Sequence, residues 1–97
     1  MVINVEVKFL GVFRQFSGRD RVLVKLEKPA TVGKAIEKLT EAFSSEFKQT
    51  LVDPELEDPR PNALILINGK EISVLQGLET EVEDDDEIVL VPVSHGG

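Results

Sequence analysis

The chain has 97 residues, of which 41% are hydrophobic and 30% are charged, and it contains no cysteine, tryptophan or tyrosine. This length suits one domain that folds without disulfide or metal staples. The lack of cysteine excludes disulfides, thiol nucleophiles and thiolate zinc sites. The single histidine, His95, excludes multi-histidine metal centres and Ser-His-Asp arrangements.

Acidic residues outnumber basic ones by 18 to 11, for a net charge of -7. This charge argues against direct nucleic-acid binding, because phosphate backbones repel it. The excess of acidic residues lies in 51–97. This acidic half either steers a basic partner towards it or forms a solvated surface without a partner. With no apolar run long enough to span a membrane and no signal peptide, the sequence predicts a soluble, cytoplasmic protein without a membrane partner.

Two segments near the N-terminus alternate between apolar and polar residues. In Val2–Phe9 the residues Ile3, Val5, Val7 and Phe9 lie on one side, and Arg21–Glu27 alternates in the same way. Such alternation is typical of half-buried strands. We therefore predict an antiparallel hairpin, joined by a loop over Gly11 to Asp20.

A helix is predicted after Pro29-Ala30-Thr31, with Thr31 as its N-cap. The apolar residues that follow recur at helical spacing and form one face: Val32, Ala35, Ile36, Leu39 and Phe43. Ser44-Ser45 is expected to fray its end.

The second half of the chain is predicted to hold three short strands. Asp53–Pro61 is rich in proline and acidic residues and therefore reads as an exposed loop. The aliphatic run Ala63–Ile67 predicts a central strand buried on both faces, and Asn68-Gly69 predicts a turn into a returning strand, Lys70–Ile72. After a charged turn over Glu83–Glu87, the last strand is expected over Ile88–Val91, stopped by Pro92.

This order of elements fits an α+β fold of the β-grasp (ubiquitin-like) type, a mixed four- to five-stranded sheet with one main helix packed across it. In this fold the first and last long strands are parallel neighbours at the sheet centre. We expect the domain to cover residues 1–92 and a flexible C-terminal tail, residues 93–97, to end in Gly-Gly.

The sequence ends at Gly96-Gly97. Glycine lacks Cβ, so its backbone can pass walls that exclude any side chain. Five residues from Val93 reach about 17 Å when extended, enough to thread a channel in another protein. A frayed tail is the plain alternative.

With this ending the chain resembles the MoaD/ThiS/ubiquitin-related-modifier group of small sulfur carriers and protein modifiers, which includes archaeal small modifier proteins. The resemblance covers nearly the whole chain. It rests on the early helix and four motifs: Asn68-Gly69, Asp84-Asp85-Asp86-Glu87-Ile88, Val91-Pro92-Val93-Ser94 and Gly96-Gly97. The MoaD-like branch usually has glycine where Asp85 stands and a second proline where Val93 stands. The stretch Arg60 to Asn68 and the ending His95-Gly96-Gly97 look more like the ubiquitin-related modifier.

The resemblance implies that a ubiquitin-activating-type enzyme adenylates the Gly97 carboxylate with Mg-ATP, and that sulfur from a persulfide then replaces AMP to give a thiocarboxylate. Sulfur delivery to a pterin precursor would occur on a large molybdopterin synthase-like subunit. tRNA thiolation and isopeptide bonds to lysine-bearing target proteins are the alternatives. A non-covalent interaction module, whose tail never becomes covalently attached, is the alternative from another class. The resemblance implies a carrier that is not an enzyme and binds no cofactor itself, with ATP and Mg used by the partner.

A docking patch is predicted beside the tail. If Ile3 to Phe9 face the core, Leu10 turns outward, and on the last strand Val89 and Val91 face away from Ile88 and Leu90. We therefore predict partner docking through Leu10, Val89, Val91 and Pro92, with scattered surface aliphatics as the alternative. Ser94, His95 and Gly96 are assigned to threading of the tail, with His95 as a spacer.

Overall fold

The computed structural model of the chain describes residues 1–93, and the predicted tail residues Ser94, His95, Gly96 and Gly97 lie outside the described residues. Within residues 1–93 the regular elements, in chain order, are β1 (Val2–Phe9), α1 (Gly11–Ser17), β2 (Arg21–Glu27), α2 (Val32–Ala42), α3 (Ser45–Leu51), β3 (Ala63–Ile67), β4 (Lys70–Glu71), two 3₁₀ turns (Ile72–Val74 and Gly77–Glu79) and β5 (Glu87–Pro92).

The strands form one mixed sheet in the order β2-β1-β5-β3-β4. β1 is antiparallel to β2 and parallel to β5, while β3 is antiparallel to both β5 and β4. The predicted hairpin and the central parallel pair are therefore both confirmed. The architecture is the β-grasp fold.

The core lies between one face of this sheet and the helices. On β1, Ile3, Val5, Val7 and Phe9 are fully buried, as their alternation predicts. α2 begins as predicted, because the Thr31 hydroxyl oxygen accepts a hydrogen bond from the Lys34 N–H at 3.2 Å. Its buried residues are those of the predicted apolar face: Val32, Ala35, Ile36 and Leu39.

Two short helices replace segments predicted otherwise. The predicted loop after β1 contains α1, which buries Phe13 and ends at Gly18. The predicted frayed end of α2 is instead the start of α3, where the Ser44 hydroxyl oxygen accepts a hydrogen bond from the Phe47 N–H at 3.3 Å. Seven-residue helices are unstable alone, so tertiary packing stabilises them here.

An aromatic cluster supplies that packing. Phe47, fully buried on α3, lies within 5.2 to 6.4 Å, centroid to centroid, of three other rings: Phe9, Phe13 and Phe43. Phe43 follows α2 as its C-cap instead of continuing the helical face. The rings of Phe9 and Phe13 meet Phe47 edge-on, and edge-on pairs add to the stabilisation from buried area.

Three details of the later strands differ from the sequence prediction. β3 is buried on one face only, because Leu64 is 37% exposed and Leu66 is half-buried. β4 ends at Glu71, since Ile72 begins a 3₁₀ turn, and β5 includes Pro92. As predicted, 53–61 contains no helix or strand, although Pro59 is buried.

Candidate functional site

The exit of β5 is fixed at the centre of the sheet. Ile88 and Leu90 are both fully buried, and β5 lies between β1 and β3. The Val93 N–H donates to the Asn62 carbonyl at 3.0 Å, one residue beyond the strand. The chain is therefore hydrogen-bonded to its neighbour as far as the last described residue.

β5 extends beyond the end of β1, and Pro92 lies in this extension. Two hydrogen bonds join β5 to β3, from the Val93 N–H to the Asn62 carbonyl and from the Asn68 N–H to the Glu87 carbonyl. Because bonded residues alternate in an antiparallel pair, the odd-numbered residues of β5 bond to β3. The Pro92 nitrogen therefore faces the β1 side, where a donor would be needed only if β1 continued. Proline has no backbone N–H, and at this position the sheet does not lose a hydrogen bond because of it.

Gly11 allows the chain to turn away from the sheet after β1, close to Pro92. It has a φ of +53°, and a Cβ at this position would lie 2.8 Å from Cγ of Pro92. Only glycine adopts that backbone readily while allowing so close an approach. The Leu10 N–H still donates to the Leu90 carbonyl at 3.2 Å, so β1 turns away directly beside the exit.

The outer face of the sheet carries an apolar surface next to this exit. Phe9 pairs with Leu90 and Lys8 with Val89, which places Leu10 beside Val91. Leu10 is 37% exposed and both valines are half-buried. The structure thus brings Leu10, Val89 and Val91 together on one face, as predicted, with Pro92 half-buried at their edge.

β3 extends this surface with two leucines that the sequence pattern does not identify. Leu64 pairs with Val91 and Leu66 with Val89, so both leucines lie on the same outer face. We call the set Leu10, Leu64, Leu66, Val89 and Val91 the exit patch. The aliphatic run Ala63–Ile67 predicts a strand buried on both faces, so the pattern does not assign any of its residues to a docking surface. The alternation that follows from pairing with β5 is the signal that identifies them.

The acidic turn lies at the opposite end of β5, and its side chains build the turn. Asp84 Oδ1 accepts the Asn4 N–H at 2.8 Å, and Asp86 Oδ2 accepts the Glu83 N–H at 2.7 Å. Asp85 adopts a φ of 69°, the left-handed conformation that aspartate tolerates better than most residues. The turn therefore forms without the glycine usual in the MoaD-like branch.

Asn68 ties the β3–β4 turn to the acidic turn. Its side-chain Nδ2 donates to Asp86 Oδ1 at 2.9 Å, and its Oδ1 accepts the Glu87 N–H at 2.9 Å. Asn68 itself has a φ of 48°. These bonds fix the start of β5, just as the Val93–Asn62 bond fixes its end.

A concave surface lies on the helical side of the molecule, away from the exit patch. It is a groove of about 550 Å³ between α2, α3 and the proline-rich loop, lined by Ile36, Lys48, Val52, Pro59 and Leu78 among others. Beside it, the Arg60 guanidinium hydrogen-bonds Asp58 and lowers the pKa of that carboxyl below its usual value. The residues that line this groove do not include any residue of the exit patch.

Neither a metal centre nor a membrane helix is found in the described part of the chain. Residues 1–93 contain no group of three or more histidine, cysteine or acidic side chains placed to hold a metal ion. Within the same range, no helix combines the length and the apolar character that crossing a bilayer requires.

Comparisons with known proteins find similar proteins over nearly the whole length of the chain. The profile of the ThiS family matches residues 7–97. Small archaeal modifier protein 3 from Haloferax volcanii is 26% identical over 95 residues, covering 98% of this chain and 100% of that protein. The solution structure of small archaeal modifier protein 1 from Methanosarcina acetivorans is 28% identical with a TM-score of 0.85, over 100% of this chain and 99% of that chain.

A third similar structure contains two proteins. One chain in the crystal structure of the Amycolatopsis orientalis BexX/CysO complex is 26% identical to this chain, with a TM-score of 0.73. The match covers 96% of this chain and 99% of that chain.

Proposed function

Because the chain belongs to the ThiS family, we propose that Gly97 carries sulfur as a C-terminal thiocarboxylate and donates it in molybdopterin or tungstopterin cofactor synthesis. At the coarser level the chain is a ubiquitin-like sulfur carrier of the ThiS/MoaD type or a small archaeal modifier. Proteins of this family are small non-catalytic carriers that bind no cofactor themselves.

The observation that carries the proposal is the position of the β5 exit. β5 lies between two other strands, is hydrogen-bonded through Val93, and has the exit patch beside its end. Ser94, His95, Gly96 and Gly97 follow Val93 in the sequence. A partner that covers the patch is therefore well placed to receive these residues.

The chemistry requires an activating partner. The Gly97 carboxylate, ionised at neutral pH, is a poor electrophile. Attack of its oxygen on the α-phosphate of ATP gives an acyl-adenylate and pyrophosphate. The outer sulfur of a persulfide then displaces AMP and forms an acyl disulfide. A thiol of the partner cleaves the S–S bond, which leaves the thiocarboxylate on Gly97 and a disulfide on the partner. Mg-ATP, the adenylating residues and the persulfide all belong to the partner, while this chain supplies the carboxylate and the docking surface.

We assign docking of that adenylating enzyme to the exit patch, together with Pro92 and the exposed Val93. The complex of BexX and CysO supports a protein partner for this chain, because a chain similar to this one occurs there with a second protein. For sulfur transfer the same face would dock a large molybdopterin synthase-like subunit. Residues Ser94, His95 and Gly96 would thread towards each reaction centre.

Protein modification is the second candidate function. The similarity to two small archaeal modifier proteins favours it. In this case a lysine amine of a target protein attacks the activated Gly97 carbonyl carbon and forms an isopeptide bond. The two functions share the adenylation step and differ only in the nucleophile.

Intact-mass measurement of the protein recovered from its native cells tests the carrier proposal. We expect a species in which one oxygen is replaced by sulfur, localised to Gly97. The last tryptic site of the chain is Lys70, so trypsin leaves the segment 71–97 as the tag on a modified lysine. A search for lysines of other proteins that carry this tag then reports whether conjugation also occurs. The matched control is a chain lacking Gly97, which should keep its fold and lose both products. An unmodified terminus without tags, even with Mg-ATP and the activating enzyme supplied, would leave a non-covalent interaction module.

A charge placed on the exit patch tests the docking surface separately. Leu64→Asp should slow carrier-dependent ATP–pyrophosphate exchange by the adenylating enzyme about tenfold or more, because burying a carboxylate replaces the burial of a leucine side chain. Val74→Asp is the matched control, since Val74 is 74% exposed and lies outside the patch. Equal exchange rates for the two variants would place docking on another surface.

A further inference from the structure

We infer that the free edge of β2 binds an extended, acidic segment of a partner protein, which pairs with β2 as an additional strand. This surface is separate from the exit patch, because β1 lies between β2 and β5. The inference concerns non-covalent recruitment and does not require any chemistry at Gly97.

The register of the first hairpin identifies the free backbone groups. The Lys28 N–H donates to the Met1 carbonyl, and the Phe9 N–H donates to the Asp20 carbonyl, both at 2.8 to 2.9 Å. In an antiparallel pair the bonded residues alternate, so the even-numbered residues of β2 bond to β1. The odd-numbered residues direct their N–H and C=O groups to the outer edge: Arg21, Leu23, Lys25 and Glu27.

These outward groups have no partner within residues 1–93. No other strand of the sheet lies beyond β2, and no backbone or side-chain hydrogen bond reaches the four odd-numbered residues from that side. β2 is seven residues long, whereas the opposite edge strand, β4, has two. An edge of this length with regular unpaired groups is a template for an added strand.

The charge around β2 selects an acidic partner. Residues 21–38 hold five basic and two acidic residues, in a chain with 11 and 18 overall. Two of the five, Arg21 and Lys28, are ion-paired with Glu6 and Glu83. Lys25 on β2 and Lys38 on α2 form no ion pair with any residue in 1–93. A local basic surface on an otherwise acidic protein attracts acidic segments and repels most of the protein's own surface.

Helix α2 places part of this charge beside β2. The α2 residues that line the groove with α3 include Gly33, Ile36 and Thr40. At 100° per residue, Lys34 and Lys38 lie on the other flank of the helix, away from that groove. α2 packs on the core face of β2, whereas Lys25 alternates with the buried Val24 and Leu26 and lies on the outer face. The lysines of α2 therefore add positive charge on the other face of the sheet from Lys25.

Exposed apolar surface on β2 favours a segment with alternating character. Leu23 is 64% exposed on the outer face, between Arg21 and Lys25. Arg21 is already ion-paired with Glu6 on β1 at 3.1 Å. A partner strand that alternates aliphatic and acidic residues therefore covers Leu23 and pairs with Lys25. A second copy of this chain would bring a second set of the same basic residues to the edge, so we assign the edge to a different protein.

NMR titration of the isotope-labelled full chain tests the inference. The probe is a seven-residue peptide of alternating valine and aspartate, with blocked ends. We expect shift changes centred on β2 and slower hydrogen exchange at the amides of Leu23 and Lys25. The amides of Val22 and Val24 should change little in exchange, because they are already bonded to β1. This alternation distinguishes strand addition from diffuse attraction between charges.

Charge reversal tests the specificity. Lys25→Glu combined with Lys38→Glu should weaken peptide binding about fivefold, as the loss of two exposed charge pairs predicts. Lys70→Glu, on the opposite edge strand, is the matched control and should leave the affinity unchanged. A peptide methylated on its backbone nitrogens should not bind, because it cannot complete the ladder.

Three results would overturn the inference. One is the absence of shift changes at millimolar peptide, and another is binding that maps to the exit patch instead of β2. The third is concentration-dependent protection of the Leu23 and Lys25 amides without peptide, which would mean that a second copy occupies the edge. Each outcome is independent of whether Gly97 carries sulfur.

Discussion

Gly11→Ala is the perturbation that most directly probes the exit of β5. Gly11 opens α1, separated from the end of β1 by Leu10 alone, and has a φ of +53°. A Cβ built there lies 2.8 Å from Cγ of Pro92, closer than side-chain carbons approach in folded proteins. The substitution therefore imposes a backbone penalty and a steric penalty, and the second acts on the residue where the chain leaves the sheet.

The two penalties can be estimated separately. The left-handed conformation costs alanine about 1–2 kcal/mol relative to glycine. Inserting a carbon into a packed contact costs about 1–3 kcal/mol. Gly18→Ala is the matched control, because Gly18 also has a positive φ, of +72°, but no atom lies within 4 Å of its Cβ position. We expect a loss of about 2–5 kcal/mol for Gly11→Ala and about 1–2 kcal/mol for Gly18→Ala.

Urea unfolding of both variants measures the difference. Combining Gly11→Ala with Pro92→Ala removes the clashing Cγ and should recover about 1 kcal/mol or more, a coupling that a double-mutant cycle isolates. The reasoning would be refuted if Gly11→Ala cost no more than Gly18→Ala. It would also fail if Pro92→Ala gave no rescue.

Three further predictions concern the core, the proline-rich loop and the β3–β4 turn. Phe47→Ala should lower the free energy of unfolding by about 3–5 kcal/mol, whereas Phe16→Ala, at a ring that is 42% exposed, should cost far less; equal losses in urea unfolding would contradict the role of the aromatic cluster. Arg60 lowers the pKa of Asp58, so the pair stabilises the fold above the unfolded carboxyl pKa of about 3.9 and loses this effect as pH falls through the lower folded value. The stability difference between wild type and Arg60→Gln should therefore shrink in acid, and a difference independent of pH would refute this. Asn68→Ala should destabilise by about 2 kcal/mol, through lost turn hydrogen bonds and its positive φ; Asn68→Gly, which relieves only the backbone, should recover part of this loss in thermal unfolding.

The sequence predicted those elements whose apolar residues repeat often enough to define a face. β1 has four inward residues in eight positions, and α2 combines such a face with the Thr31 cap. α1 and α3 have only seven residues each, so their periodicity is too short to recognise. Their stability comes from Phe13 and Phe47 packing with residues distant in sequence, which no local pattern reports.

The exit patch was predictable in part for a similar reason. The outward direction of Val89 and Val91 follows from alternation with Ile88 and Leu90, and the β-grasp order then places Leu10 beside them. Leu64 was missed because an uninterrupted aliphatic run does not reveal which residues face outward. Its position depends on the register of β3 against β5, a tertiary property.

The order of strands suits the two surfaces to different tasks. β5 is bonded on both sides, so moving its exit relative to the exit patch would break pairing with both β1 and β3. A reactive terminus benefits from this rigidity, because orientation at the reaction centre then depends on few residues. β2 is bonded on one side only, and its unpaired groups favour recruitment of another strand over precise placement. Because β1 separates the two surfaces, a partner on the β2 edge would leave the exit patch open to an activating enzyme.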